Sequence, residues 1–240
     1  MNRPYIICHM TMSLDGKVTG DFLQRPEHAG VSEIYYQINR DYKADAYACG
    51  RVTMEESFTG GWYPNLSEYP PVHCDTGIKT DFIPDKKHMT RFYAVAFDPH
   101  GKLGWKSKRI IDVDKDPGYD NAQIIEVLTE SVDECYLGYL KEMEIPYIFA
   151  GKNEIDIATA LFKLKKFIGI KTLLLEGGSI TNGAFLRADV IDELSLVIDP
   201  VVATSDSKPL FMNATLKNYK LTNIQNYNGI LWLNYKTKEL

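Results

Sequence analysis

The chain has 240 residues, 45% of them apolar, and a formal net charge of −5, enough for one enzyme-sized domain with a sizeable core. Lys and Arg are scattered and form no basic stripe, which argues against nucleic acid and for a small-molecule substrate. No stretch approaches the roughly 18 apolar residues of a membrane span, and Met1–Pro4 leads into a strand-like run without a secretory pattern, so a cytoplasmic protein with no membrane contact is expected.

Tyr5 to Met12 reads as a first strand, rich in β-branched and aromatic residues, that stops at the turn-forming cluster Ser13-Leu14-Asp15-Gly16. Ile34, Ile38 and Tyr42 recur at helical spacing within Ser32 to Lys43, and Ala46 to Cys49 follows as a short buried strand ended by Gly50. Thr53 and Glu56 have capping-box spacing, which predicts a short helix beginning just after Gly50-Arg51-Val52. The stretch from Gly60 to His88 is longer than an ordinary connection and carries Trp62, Tyr63, Tyr69 and Phe82. A lid over a site and a surface excursion packed by its own aromatics both fit it.

Phe92 to Phe97, Ile110 to Val113 and Gln123 to Leu128 are strand candidates. The stripe Val132, Cys135, Tyr136, Tyr139, Leu140 and Met143 predicts a helix before the strand Pro146 to Ala150. Asp156 is a candidate N-cap for a helix through Ile157, Ala160, Leu161 and Leu164, which leads into the strand Lys171 to Glu176. Ser179 to Arg187 reads as a last helix and Leu194 to Val202 as a strand. Tyr219 to Asn226 and Ile230 to Tyr235 flank an Asn228-Gly229 turn signal, so the chain closes with an antiparallel hairpin at the sheet edge. Alternation of helix and buried strand implies an α/β fold with a mainly parallel sheet covered on both faces, read as one domain over 1–240.

The four cysteines, Cys8, Cys49, Cys74 and Cys135, form no Cys-x-x-Cys pair and read as thiols, most of them within apolar runs. His73-Cys74 lacks a second ligand pair at metal spacing, and no metal is expected.

Leu173-Leu174-Leu175-Glu176-Gly177-Gly178-Ser179 carries the most chemistry. A buried strand breaks at a Gly pair before a helix, so residues without a Cβ let a ligand's phosphates approach free N–H groups and the positive helix end. Ligands in open α/β sheets sit beyond the carboxyl ends of the strands, where Ser13 to Gly16, Gly50 to Thr53 and Glu176 to Ser179 are all expected to lie and to converge. Asp15 and Glu176 form a candidate carboxylate pair beside the reacting group, although Asp15 also suits a turn-capping role. Neither a Gly-x-Gly-x-x-Gly nor a Walker A pattern is present.

Met12-Ser13-Leu14-Asp15-Gly16-Lys17, Ala44-Asp45-Ala46 leading to Gly50 and Thr53, Leu174-Leu175-Glu176-Gly177-Gly178, and Asp192-Glu193-Leu194 with Pro200 resemble, in that order, the pyrimidine reductase domain of bacterial riboflavin biosynthesis. The resemblance implies a dihydrofolate reductase-like three-layer fold, a homodimer, and NADPH as the hydride source for C1′ of a ribosylamino-pyrimidine. It implies catalytic roles for Asp15 and Glu176, and substrate contacts for His9, Ser13 and Glu56. It places the cofactor on Thr11, Gly50, Arg51, Thr53, Gly177, Gly178, Ser179 and Ile180, with Asp98 by the adenosine ribose. Two departures bear on the substrate: Glu55-Glu56-Ser57 carries acids where the family places a phosphoribosyl-binding segment, and His9 stands where a lysine is expected. A pterin-like or carbonyl substrate, or a dinucleotide-binding protein without turnover, are the competing expectations.

Overall fold

The computed structural model describes residues 2–73, 79–84 and 92–237. In chain order the elements are β1 (Tyr5–Ser13), α1 (His28–Tyr42), β2 (Ala46–Gly50), α2 (Arg51–Met54), β3 (Tyr93–Phe97), β4 (Gln123–Leu128), α3 (Glu134–Glu142), β5 (Tyr147–Phe149), α4 (Ile157–Lys163), β6 (Thr172–Leu175), α5 (Ser179–Arg187), β7 (Glu193–Asp199), β8 (Tyr219–Tyr227) and β9 (Ile230–Thr237). The α/β class expected from the alternation is the one observed. The chain gathers into two compact units, one built on Asp45–Lys171 with the N-terminal residues to Pro4, the other on Tyr5–Ala44 and Thr172–Leu240.

In the first unit four parallel strands run in the order β5-β4-β3-β2. Every residue of these strands is buried, as expected for parallel strands covered on both faces. Helix α3 lays Tyr136, Tyr139 and Leu140 against them, and its N-cap Asp133 accepts a hydrogen bond from the Cys135 amide at 2.7 Å. Asp156 caps α4 as its position suggests, accepting from Thr159 N–H at 2.7 Å.

Three expectations need correction here. Ile110 to Val113 is no strand: Ile110 exchanges backbone bonds with Asn121 and Ala122, after which the chain enters a turn held by Asp112 and Asp120, leaving Val113 90% exposed. The Thr53–Glu56 capping box does not form. Gly50 is itself the extended N-cap and α2 starts at Arg51, so Thr53 lies inside the helix, and Glu55–Thr59 continues as a π-helical turn. The described parts of the 60–88 excursion pack on their own unit: Tyr63 Oη donates to Gly101 O at 2.7 Å, Tyr69 meets Tyr139 edge-on, and Phe82 bridges Tyr147 at the edge of β5. That favours a packed excursion over a free lid. Cys74 lies outside the described residues, and His73 contacts Glu134 at 3.0 Å.

In the second unit the order is β6-β1-β7-β9-β8. Strands β6, β1 and β7 are parallel, and β9 and β8 run antiparallel as the closing hairpin, with β8 at the edge. Asn228 and Gly229 both take positive φ, as a two-residue turn between twisted strands requires. Val31 and Ile38 of α1 pack on Val197, flanked by Ile34, Tyr35 and Trp232.

Candidate active site

The expected site residues fall into two sets, each described within its own unit. In the second unit β1 and β6 are adjacent and parallel with Cys8 opposite Leu175, so β6 ends beside the middle of β1, which runs on to Ser13, and the Ser13–Gly16 turn lies farther along than the β6 exit. Past Leu175, Glu176 is buried and accepts a bond from the Asn39 side chain at 2.6 Å. Gly177 has φ +97°, a conformation that favours glycine, and an added Cβ would meet the end of the Met10 side chain at 3.2–3.3 Å. Gly178 is the extended N-cap of α5, which has no side-chain cap, so the first amides of α5 are not consumed by a capping side chain. Ile180, on the first turn of α5, is exposed.

Ser179 is placed differently from expectation. Its hydroxyl is buried and donates to Pro209 O, so only its main chain is available to a phosphate. The same segment also accepts from Asn182 Nδ2 through Leu210 O at 3.2 Å and returns Met212 N–H to Ser179 O. On its other side it is tied to the turn after β1 by Leu14 N–H to Val201 O and Leu210 N–H to Gly16 O. Residues 201–212 are thus a strap laced to both strand exits.

Within the β1 turn, Ser13 donates to Asp15 Oδ1 at 2.7 Å, and its Oγ accepts the Lys17 amide at 2.9 Å. Asp15 Oδ1 also accepts Ala203 N–H at 3.0 Å. These bonds from Ala203 and Ser13 hold the exposed Asp15 carboxyl below the usual carboxylate range. Asp15 is therefore an ionised acceptor at neutral pH and a poor proton donor. Thr11 is half-buried on β1.

His9 corrects the expectation of a substrate contact. It is fully buried and stacks on Tyr35 at 4.2 Å. Nε2 lies 3.0 Å from Tyr35 O and Nδ1 3.0 Å from Ser195 Oγ. A carbonyl only accepts, so Nε2 carries the proton, Nδ1 accepts from Ser195, and Ser195 in turn accepts from Trp232 Nε1 at 2.9 Å. Neither ring nitrogen is left for a ligand. Burial holds the ring's pKa down at about 4.

In the first unit, the neighbouring exits of β2 and β3 place Gly50, Arg51, Thr53 and Asp98 together, with Gly50 opposite Phe97. Gly50, like Gly178, starts a helix without a side-chain cap. Arg51 pairs with Glu55 at 2.5 Å, so one of the two acids thought hostile to phosphate is neutralised by its own helix neighbour. Glu56 is exposed. Asp98 is not free for a ribose: it is fully buried, and its Oδ2 accepts Lys102 N–H at 2.5 Å and Leu103 N–H at 2.8 Å.

Sequence reasoning passed over Asn39, Asn182 and Glu126. Asn39 and Asn182 are buried amides on helices, and the only signal each gave was a polar residue beside an apolar stripe. Among the described residues no group of three or more His, Cys, Asp or Glu side chains could hold a metal ion, and no helix is long and apolar enough to cross a membrane.

Residues 117–231 match the family described as RibD C-terminal domain. That span includes Glu176 to Ser179 and ends within β9, while the Ser13 and Gly50 motifs precede it. A 2,5-diamino-6-ribosylamino-4(3H)-pyrimidinone 5′-phosphate reductase of Aquifex aeolicus is 26% identical over 210 residues, covering 87% of this chain and 82% of the relative. Among solved structures, a pyrimidine reductase-like protein of Corynebacterium diphtheriae is 17% identical with a TM-score of 0.66, covering 99% of this chain and 93% of its own. Acinetobacter baumannii RibD gives a TM-score of 0.64 at 17% identity, covering 99% of this chain but 59% of its own. At such identities the two structures establish the fold.

Proposed function

We propose, from the match of residues 117–231 to the RibD C-terminal domain, that the chain is a reductase that passes hydride from a nicotinamide dinucleotide, NADPH, to C1′ of a ribosylamino-pyrimidinone 5′-phosphate. The observation that carries the reading is the reductase of Aquifex aeolicus, alike over 87% of the chain. The glycine-led, side-chain-uncapped starts of α2 and of α5, each within its own unit, suit the phosphates of such a cofactor, because amides at a helix start bind phosphate oxygens. In the second unit Gly177, Gly178 and the main chain of Ser179 would hold phosphate, with Ile180 and Thr11 alongside; in the first unit Gly50, Arg51 and Thr53 offer a glycine-led helix start of their own.

When bound, the dinucleotide supplies the hydride. Glu176, set at the β6 exit and braced by Asn39, orients the N–H groups of the pyrimidine. Asp15, ionised and fixed through Ser13 and Ala203, accepts from substrate hydroxyls, and the proton that balances the hydride comes from water. The test is steady-state NADPH oxidation with the pyrimidinone phosphate, beside a fluorescence titration of NADPH against the wild type and Gly178→Glu. Turnover in the wild type, with affinity lost in the variant through bulk and like charge, is expected. Equal affinity in both proteins removes the cofactor assignment, and binding without oxidation removes the reductase.

A further inference from the structure

Asp98 and Glu126 make an arrangement that nothing in the proposed reaction uses. Glu126 on β4 stands opposite Ala96 on β3, and Asp98 follows Ala96 by two residues, so both carboxyls leave the same face of the sheet as diagonal neighbours. Asp98 N–H continues the ladder to Val127 O. Both groups are fully buried and they close around one residue. Asp98 Oδ2 takes Leu103 N–H at 2.8 Å, and Tyr136 Oη, which donates to Leu103 O at 2.8 Å, lies 3.4 Å from Glu126 Oε1. Glu126 Oε1 also accepts Trp105 Nε1 at 2.5 Å. One oxygen of each carboxyl is thereby used. The other two, Asp98 Oδ1 and Glu126 Oε2, are buried without a hydrogen-bond partner among the described residues.

Two ionised carboxyls with orphaned oxygens in a buried site repel each other and lose their hydration without compensation. One added proton removes both costs, because it cancels a charge and provides the missing donor. We propose that Asp98 and Glu126 share a single proton, and that this protonated pair positions the 98–105 turn beside the Gly50–Arg51 cradle. The placement of the turn rests on the fold alone, and its effect on a dinucleotide rests on the reading given above.

Burial pushes the Glu126 carboxyl well above the usual carboxylate range, with the nearby Asp98 charge adding to the effect. Burial also raises Asp98, against its amide donors and the charge of Arg51. The other titratable groups facing the pair are phenols: Tyr63 from the loop after α2, pushed by burial to about 12, and Tyr136 and Tyr139 from α3, both raised. Among the described residues the cation acting on the pair is Arg51, and the three raised phenols stay neutral near neutrality. A carboxyl raised on folding contributes stability that is present below its unfolded pKa and is lost as pH climbs through its folded value.

The experiment compares wild type with Glu126→Gln, whose amide is a permanent donor. Thermal midpoints and NADPH affinity are measured from about pH 5 to about pH 9, with the infrared carboxylic-acid band of the wild type at about pH 7. Expected are a midpoint that falls relative to Glu126→Gln as pH rises, a protonated-carboxyl band surviving at neutrality, and wild-type affinity weakening about fivefold or more while the variant stays level. Parallel midpoint curves, or no acid band in a wild type whose variant fails to fold, overturn the shared proton. A flat wild-type affinity alongside the expected midpoints overturns the link to the cradle. No NADPH binding at any pH, with midpoints and band as expected, supports the shared proton and defeats the cofactor reading instead.

Discussion

His9 shows how a single side chain can be taken out of a binding role by its neighbours. Tyr35 O fixes the proton on Nε2, Ser195 serves Nδ1, and the ring lies flat on Tyr35. Its folded pKa sits near 4 against the ordinary 6.5. A depressed value contributes stability that is full above the unfolded pKa and is lost as pH falls through the folded one, so acidification from about 6.5 towards 4 should cost on the order of 3 kcal/mol. Chemical denaturation across that window, together with nitrogen NMR of the ring, checks this; an imidazolium signal at about pH 6 would refute it. None of this was legible in the sequence, where a histidine in an apolar run offered only its position. Asp15 was more readable, since Asp before Gly in a turn suggests an acceptor role, and it is bonded as such. What the sequence withheld was Ala203, far along the chain, which completes that acceptor set.

At the scale of elements, the strand-Gly-Gly-helix passage at β6 and α5 was the clearest signal, and α5 spans Ser179–Arg187 as its pattern indicated. Local composition carries that much because the break, the glycines and the stripe are all contiguous. The strap of residues 201–212 was invisible, since its bonds run to segments remote in sequence and its own residues have no periodicity. It depends on close approach: a Cβ on Gly183 of α5 would lie 1.9 Å from Met212 O, which is backbone and cannot swing aside. Gly183→Ala should therefore destabilise the protein by about 1–3 kcal/mol or more, read by thermal unfolding. An unchanged midpoint would mean the strap does not press on α5. The false strand at Ile110 and the misplaced start of α2 failed for the opposite reason. Short apolar runs and capping patterns are common by chance, and the polar turn at Asp112 and the extended Gly50 decided them.

The whole molecule is ordered by an interruption. Strand β1 pairs with β6 and β7, Tyr5 lying opposite Thr172 and Ile7 opposite Glu193, while everything from Asp45 to Lys171 belongs to the other unit. The class of fold was legible because helix and buried strand alternate, but this division was not, since no linker-like composition marks Ala44 or Thr172. A chain truncated after Lys171 should accordingly protect residues of the 45–171 stretch from limited proteolysis while Tyr5–Ala44 is cut rapidly. Uniform protection of both stretches would contradict it.

The parallel pairing of β1 carries a last consequence. Strand β1 has no sheet neighbour in its own unit until Thr172 and beyond have been translated. Its apolar side chains must wait, exposed or shielded by a chaperone, until that stretch has been made. Slow codons between those for β1 and β6, rather than ones before β1, would then lengthen the interval in which a nascent chain is open to aggregation.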